Sequence, residues 1–340
     1  MLNAAIVGLG WWGKTLVEST QGESDAIRFT AGATRTGSTE AQEFAAAQGF
    51  ELRGAYEELL SDPAIDAVVL ATPHSLHTSQ IVAAAAGKHV FCEKPFALTR
   101  ETAEQAVQAM QSAGLTLGLG YNRRLHPAMV DLRRRINSGA LGTIMHVEAT
   151  MTFSNALYLE PGQWRADPTE TPCGGLTPMG VHAIDAMIDL CGEIDQVFCL
   201  SFRRVVEIDA DDTTSVLFRM KDGMSGYLGT ITATGGGFSF QVFGSAGSLR
   251  LEGMTHIAGA PSEERRSRLF GTCKFQPIKG PPETWQADAF DVTRASLEAF
   301  AAAVAGGPAY PIQLDQMIHG AAVTETIVKS AASGRMEKVG

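Results

Sequence analysis

The sequence predicts two domains, an α/β domain with a parallel sheet and then an α+β domain with a large open, mostly antiparallel sheet. Over the first third, short continuous apolar runs alternate with helical patterns. Beyond about residue 121, strand-like stretches follow one another directly. With 340 residues, 45% of them hydrophobic, the chain is long enough for two cores. We place the domains at residues 1–121 and 122–340.

In the first domain, strands and helices are predicted in strict alternation. The apolar runs predict strands at residues 4–7, 27–33, 67–70, 89–92 and 115–119. Helical patterns lie between them, one from near Gly13 and three at residues 39–48, 79–86 and 102–113. A glycine ends each of these three, which is typical of a left-handed C-cap.

In the second domain, consecutive strand patterns predict an antiparallel sheet. The patterns cover residues 145–153, 197–206, 215–220, 226–233 and 238–243. Short turns such as Lys221-Asp222-Gly223 join several of them, and Gly235-Gly236-Gly237 is predicted to be a loop. Two Ala-rich helices are predicted to close the chain, at residues 287–305 and 315–333.

Charge and cysteine content exclude several classes of protein. The net charge of −10 argues against nucleic-acid binding, which requires a basic face, and the cluster from Arg123 to Arg135 is interpreted as a solvated helix face. No run approaches the roughly 20 apolar residues of a membrane span, and no signal peptide is expected. The five cysteines lack C-x-x-C spacing, which favours free thiols in the cytoplasm.

A glycine-rich turn follows the first predicted strand and precedes a helix: Gly8-Leu9-Gly10-Trp11-Trp12-Gly13. In this strand–turn–helix context the G-x-G-x-x-G pattern is typical of a Rossmann dinucleotide site. The first glycine permits the tight turn, the second lets the backbone approach the pyrophosphate, and the third lets the helix pack on the strand. The helix N-terminus then offers N–H groups to the phosphates.

The end of the second strand favours NADP over NAD. It reads Thr34-Arg35-Thr36, whereas NAD sites usually carry an acidic residue there for the ribose 2′-hydroxyl. Arg35 can pair with a 2′-phosphate, which a carboxylate would repel. NAD remains open, because Arg35 could instead stack on the adenine or face solvent.

The third predicted strand ends in Ala71, Thr72, Pro73 and His74, with His77 about one helical turn further on. Ligands of open α/β sheets bind at the carboxyl ends of the strands, so we expect these residues to line the cofactor. Neither histidine has an acidic or thiolate partner at metal-ligand spacing, so no metal is expected.

Three further segments carry a resemblance to a known family: Glu93-Lys94-Pro95, then Trp164-Arg165 followed by Gly180-Val181-His182-Ala183-Ile184-Asp185, and Phe243–Leu249. With the N-terminal turn, they resemble the glucose–fructose oxidoreductase / inositol dehydrogenase / rhizopine-catabolism (Gfo/Idh/MocA) family from about residue 3 to 335. The resemblance implies a Rossmann domain, an open-sheet domain and hydride transfer between NAD(P) and a hydroxyl or carbonyl carbon of a sugar or cyclitol. It also implies a homodimer or homotetramer formed through the open sheet.

The resemblance assigns roles to individual residues. Lys94 would lie beside the nicotinamide and the reacting oxygen, and His182 would exchange the proton with Asp185 beside it. The chemistry agrees, since imidazole titrates near neutral pH and an ammonium group stabilises a developing alkoxide. Glu93, Trp164 and Arg165 are expected near the cofactor.

One position departs from the family pattern. Pro178 stands four residues before His182, where many members carry an aspartate, and proline has no side-chain donor or acceptor. A non-sugar alcohol or dihydrodiol substrate therefore stays open, as does a catalytically silent NADP-binding regulator. The residues predicted to contact the substrate are Tyr121, Arg123, Tyr158, Thr177 and Met179.

Overall fold

The computed structural model describes residues 1–35, 37–254 and 262–340, which form two compact units. The first unit combines Met1–Asn122 with Asp291–Ile318, and the second combines Arg123–Phe290 with His319–Gly340. The sequence had placed the whole of 122–340 in the second domain, so the return of 291–318 to the first unit was not foreseen. The assignment of cofactor and substrate binding to separate domains stays a prediction.

The first unit contains the predicted alternation of strands and helices around a parallel sheet. This sheet has six strands, one more than predicted, in the order β3-β2-β1-β4-β5-β6. Its strands are β1 Leu2–Val7, β2 Ile27–Ala33, β3 Glu51–Arg53, β4 Ala67–Leu70, β5 His89–Cys92 and β6 Leu117–Leu119. Strands β2, β4 and β5 have the predicted bounds. The short β3 was missed because its three residues carry no apolar run.

The helices between these strands are α1 Trp11–Thr20, α2 Thr39–Gln48, α3 Tyr56–Ser61, α4 His77–Ala84 and α5 Arg100–Ser112. Helix α2 has the predicted bounds, because Ser38 Oγ caps it by accepting from Ala41 N at 3.3 Å and Gly49 ends it at φ 74°. Helices α1 and α4 each begin two residues before the predicted start, so the N-terminus of α1 lies within the glycine turn.

The second unit is built on a nine-stranded sheet of order β14-β13-β12-β11-β7-β10-β9-β8-β15. Its strands are β7 Ile144–Thr152, β8 Ile194–Phe202, β9 Thr213–Met220, β10 Ser225–Ile231, β11 Gly237–Gly244, β12 Gly247–Gly253, β13 Phe270–Pro277, β14 Glu283–Gln286 and β15 Glu337–Lys338. Only β7 and β10 pair in parallel; the other neighbouring strands in this sheet are antiparallel. The open, mostly antiparallel sheet is therefore confirmed.

One face of this sheet is covered and the other is open. Residues of three helices pack on the covered face: α6 Pro127–Asn137, α7 Gly180–Cys191 and α10 Leu314–Ser333. On the strands, burial alternates, so that Val147, Ala149 and Met151 of β7 are buried. A short helix, α8 Ser262–Ser267, precedes β13.

The basic cluster divides into two parts. Arg133, Arg134 and Arg135 lie on α6 with carboxylate partners, as expected for a helix face that contacts water. Arg123 and Arg124 are only 5% and 3% exposed, so the interpretation as a solvated face is wrong for them. Among the described residues, no helix is long and apolar enough to cross a membrane.

The chain returns to the first unit through helix α9, Val292–Val304. It begins five residues later than predicted, because Asp291 caps it by accepting from the N–H groups of Thr293 and Arg294. Phe300 is fully buried with its ring centre 5.7 Å from that of Phe91 in β5. The return segment therefore completes the core of the parallel-sheet unit.

Candidate active site

The glycine turn between β1 and α1 has the geometry that the sequence predicted. Gly8 has φ 94°, and a Cβ there would lie 2.6 Å from the main-chain oxygen of Ala71. A Cβ on Gly13 would lie 1.9 Å from the oxygen of Gly8. Both positions therefore require glycine for packing within the protein itself.

Gly10 is different, because nothing in the described protein lies within 4 Å of a Cβ placed on it and its φ of −70° suits any residue. Glycine here leaves the backbone accessible from outside, as a pyrophosphate would need. Gly10 is also the N-cap of α1, whose first turn carries no acidic residue, so its N–H groups and partial positive charge suit an anion. The turn therefore fits a dinucleotide.

The hydrophobic residues of the turn differ in exposure. The Leu9 side chain is 7% exposed and belongs to the core of the first unit, whereas Trp11 is 47% exposed and Trp12 is half-buried. At the end of β2, Thr34 is half-buried and Arg35 is exposed. Thr36, the third predicted contact there, lies outside the described residues.

His77 is enclosed and links two loops. Its Nδ1 lies 2.9 Å from the oxygen of Pro95 and its Nε2 lies 3.1 Å from the oxygen of Thr72. The side chain is fully buried and supports both loops, and its predicted contact with the cofactor stays a prediction. Thr72 also donates from its hydroxyl to Gln80 Oε1 at 2.6 Å, while His74 is 7% exposed.

Glu93 and Lys94 follow β5 directly. The Glu93 side chain is 5% exposed, and its Oε2 accepts from the main-chain N–H of Lys94 at 3.2 Å. Burial raises the pKa of Glu93 to about 7, while the Lys94 charge and the Trp12 indole lower it in part. A Cβ on Gly120 would lie 2.6 Å from Glu93 Oε1, so glycine in the loop after β6 makes room for the carboxyl group.

Helix α7 of the second unit carries His182 and Asp185, which are 7% and 4% exposed. Both oxygens of Asp185 accept from Arg124, at 2.6 Å from Nη2 and 2.8 Å from Nε. Arg124 also reaches Asp189 at 3.2 Å. Burial raises the pKa of Asp185 to about 6 and the Arg124 charge opposes that shift. Asp185 therefore lies in a buried ion pair, and its predicted role beside His182 stays a prediction.

The predicted substrate residues have unequal access to solvent. Thr177 is fully buried and Tyr121 is 5% exposed, whereas Tyr158 is 75% exposed and so is not a core tyrosine. Met179 is half-buried. Arg123 is 5% exposed.

A pocket within the second unit is lined partly by the departing residue Pro178. Arg165 also lines it, with its guanidinium 4.2 Å from the centre of the Trp164 ring. Its other polar lining residues include Asn155 and Asp211, which the sequence analysis missed because neither belongs to a recognisable motif. The described residues contain no group of three or more His, Cys, Asp or Glu that could hold a metal ion.

Comparison with known proteins gives two family matches. Residues 2–121 match the oxidoreductase family with an NAD-binding Rossmann fold, and residues 129–250 match the GFO/IDH/MocA C-terminal domain. The chain is 28% identical to the uncharacterized oxidoreductase ORF334 of Rhizobium meliloti, over an alignment of 288 residues that covers 84% of each protein. It is 25% identical over 278 residues to myo-inositol 2-dehydrogenase of Thermotoga maritima, covering 78% of this chain and 80% of that one.

A solved structure of levoglucosan dehydrogenase in complex with NADH and L-sorbose has the same fold. It matches with a TM-score of 0.84 and 22% identity, over 100% of this chain and 99% of that one. The glycine turn, the parallel sheet and both family matches point to the same family. The chain belongs to the Gfo/Idh/MocA family of NAD(P)-binding oxidoreductases.

Proposed function

We propose that the protein is an NADP-dependent dehydrogenase or reductase acting on a sugar, cyclitol or sugar derivative. The observation that carries the proposal is the open backbone at Gly10 together with an exposed Arg35 at the end of β2. When bound, the nicotinamide supplies or accepts the hydride. The relationship to a myo-inositol dehydrogenase and a levoglucosan dehydrogenase supports the substrate class.

Lys94 and His182 are proposed to carry the polar chemistry. The ammonium of Lys94 would stabilise negative charge developing on the reacting oxygen. The imidazole of His182 would take the hydroxyl proton in oxidation and return it in reduction. In support, the main-chain N–H of Lys94 donates to the carboxyl group of Glu93, a side chain that is only 5% exposed.

Turnover with a panel of cyclitols, aldoses, ketoses and dihydrodiols, monitored by NADPH absorbance, tests this proposal. We expect Lys94→Ala and His182→Ala each to lower kcat by roughly 10²–10⁴-fold. Wild-type rates in both variants would refute the assigned roles. NADPH binding without turnover of any compound would favour a catalytically silent regulator. Pro178 leaves this alternative open, because it has no polar side chain where many family members carry an aspartate.

The preference for NADP over NAD is proposed from Arg35 alone. A charge-assisted pair with a 2′-phosphate is worth about 1.5–3 kcal/mol, or roughly 10–150-fold in affinity. Arg35→Ala should therefore weaken NADPH binding at least about tenfold and leave NADH unchanged. Arg28→Ala is the matched control, because Arg28 is also exposed on β2 and donates to Asn3 Oδ1 at 2.8 Å. Tighter binding of NADH by the wild-type protein would overturn the preference.

We also propose that the open face of the second-unit sheet forms a homodimer or homotetramer interface. Leu200, Phe202 and Leu217 lie on this face and are about half exposed, at 45%, 51% and 50%. Apolar side chains clustered on an open face favour association. Light scattering of the wild type and of Leu217→Glu tests this, and a monomeric wild type would contradict it. A cytoplasmic location stays a prediction.

A further inference from the structure

Two buried side chains that carry hydrogen-bond donors lie three residues apart at the start of the second unit, where the N–H of His126 donates to the oxygen of Arg123 at 3.1 Å. Arg123 is 5% exposed, and His126, the N-cap of α6, is fully buried. The guanidinium of Arg123 lies 4.7 Å from the centre of the Phe238 ring. Within residues 1–35, 37–254 and 262–340, its buried Nη1 has no hydrogen-bond acceptor.

His126 presents a second donor of the same kind. Its Nδ1 accepts from the N–H of Ala128 at 3.1 Å, which places the ring proton of the neutral imidazole on Nε2. Nε2 is buried and has no partner in the described part of the chain. The ring is packed between Phe270 and Phe290, with centres 4.5 and 5.9 Å away.

Arg123 and His126 together carry one positive charge at neutral pH, which lies on Arg123. Burial lowers the pKa of Arg123 to about 10, which leaves the guanidinium charged at neutral pH. Burial, and secondarily the Arg123 charge, lowers the pKa of His126 to about 4, so the imidazole is neutral. No carboxylate of the described residues pairs with Arg123, in contrast to its neighbour Arg124, which pairs with Asp185.

A buried charge without a counter-ion is among the most costly arrangements in a protein. Arginine does not escape this cost by losing its proton. A water molecule could accept hydrogen bonds from both donors, but it would leave the charge unbalanced. A small anion would satisfy both donors and the charge together, within walls formed by the rings of Phe238, Phe270 and Phe290.

We infer that Arg123 and His126 form a binding site for one small monovalent anion, held by Arg123 Nη1–H and His126 Nε2–H. The chemistry fits a halide or the carboxylate of a small organic acid. Arg123 is also among the residues predicted to contact the substrate, but the test of the anion site measures stability and needs no turnover, so its outcome does not depend on the proposed sugar chemistry.

The experiment measures the urea unfolding midpoint of protein purified without chloride, at constant ionic strength, with sodium bromide or sodium formate replacing the sodium salt of the bulky sulfonate MES. A ligand that binds only the folded state at ten times its Kd lowers the unfolding equilibrium constant roughly elevenfold. Stabilisation by bromide alone indicates an inorganic anion, and stabilisation by formate as well indicates a carboxylate site. An equal midpoint in all three salts would overturn the inference.

Three variants make the result specific. Arg123→Met removes the charge and should abolish the anion response. His126→Asn keeps an acceptor for the N-cap but removes Nε2–H, and should weaken anion affinity at least tenfold. Arg250→Met is the control for general salt effects, since Arg250 is 45% exposed and pairs with Glu252 on the sheet, and it should respond like the wild type.

A response that persists in Arg123→Met would overturn the site. Should this variant fail to fold, crystals of the wild type grown in bromide decide the question by anomalous scattering. A bromide peak between Arg123 Nη1 and His126 Nε2 supports the site, and a position holding only water refutes it.

Discussion

Replacing Glu93 by glutamine should remove a loss of stability that the wild type undergoes as the pH rises toward neutrality. Burial raises the pKa of the Glu93 carboxyl from 4.5 to about 7. The folded state therefore holds this proton more tightly than the unfolded state does. The stabilisation is fully present below about pH 4.5 and is lost as the pH rises through 7. At about 1.4 kcal/mol per pKa unit, the loss is of order 3 kcal/mol.

Urea denaturation at pH 5, 6, 7 and 8 measures this effect. The free energy of unfolding of the wild type should fall over this range relative to Glu93→Gln, which cannot ionise. Glu40→Gln is the matched control. The Lys14 ammonium lies 2.5 Å from the exposed Glu40 carboxylate and lowers its pKa, so Glu40 titrates below this pH range. The Glu40→Gln variant should therefore keep the wild-type dependence of stability on pH. Parallel curves for wild type and Glu93→Gln would refute the reasoning.

Two other sets of variants separate binding from folding. Gly10→Ala should leave the free energy of unfolding within about 0.5–1 kcal/mol of wild type, because the new Cβ meets nothing in the described protein. It should raise the cofactor Kd at least about tenfold, because the Cβ would stand where the pyrophosphate approaches the backbone. Gly13→Ala should destabilise the fold by roughly 2 kcal/mol or more, since its Cβ would meet a main-chain oxygen at 1.9 Å. Equal stability of the two glycine variants would contradict this. Asp185→Asn should lower the free energy of unfolding by about 3 kcal/mol, because Arg124 loses its closest buried counter-charge. Arg134→Ala should lower it by less than about 1 kcal/mol, because this surface pair involves an arginine that is 65% exposed. A similar loss of stability in both variants would count against the buried pair.

Most strands and helices of the first unit could be predicted from local sequence patterns, because burial on both faces of a sheet leaves a signal in the sequence itself. Strands buried on both faces read as continuous apolar runs, so Ala67–Leu70 and His89–Cys92 could be recognised with their bounds. Glycine at position 49 marked the end of a helix because only glycine adopts its left-handed conformation easily. The boundaries that failed were those set by capping, such as the start of α9 at Asp291.

The candidate site was less predictable, because its side-chain partners are distant in sequence. Asp185 stood three residues after a histidine and was assigned to catalysis, yet its partner Arg124 is 61 residues away. Arg123 and Arg124 are adjacent and chemically identical, but Arg124 has a buried carboxylate partner, whereas Arg123 has none among the residues that the structure describes. Such differences arise only from tertiary packing, which a single sequence does not encode in a local pattern.

The return of the chain through α9 has a consequence for biosynthesis. Phe300 lies against Phe91, and the hydroxyl of Tyr310 donates to the oxygen of Leu119 at 2.7 Å, so the core of the parallel-sheet unit is incomplete until this segment is made. Residues 123–290, the main part of the other unit, are synthesised in between. At about 5–20 residues per second the ribosome needs roughly 10–30 s for them. The parallel-sheet unit therefore begins its synthesis first but completes its core only after most of the other unit has been made.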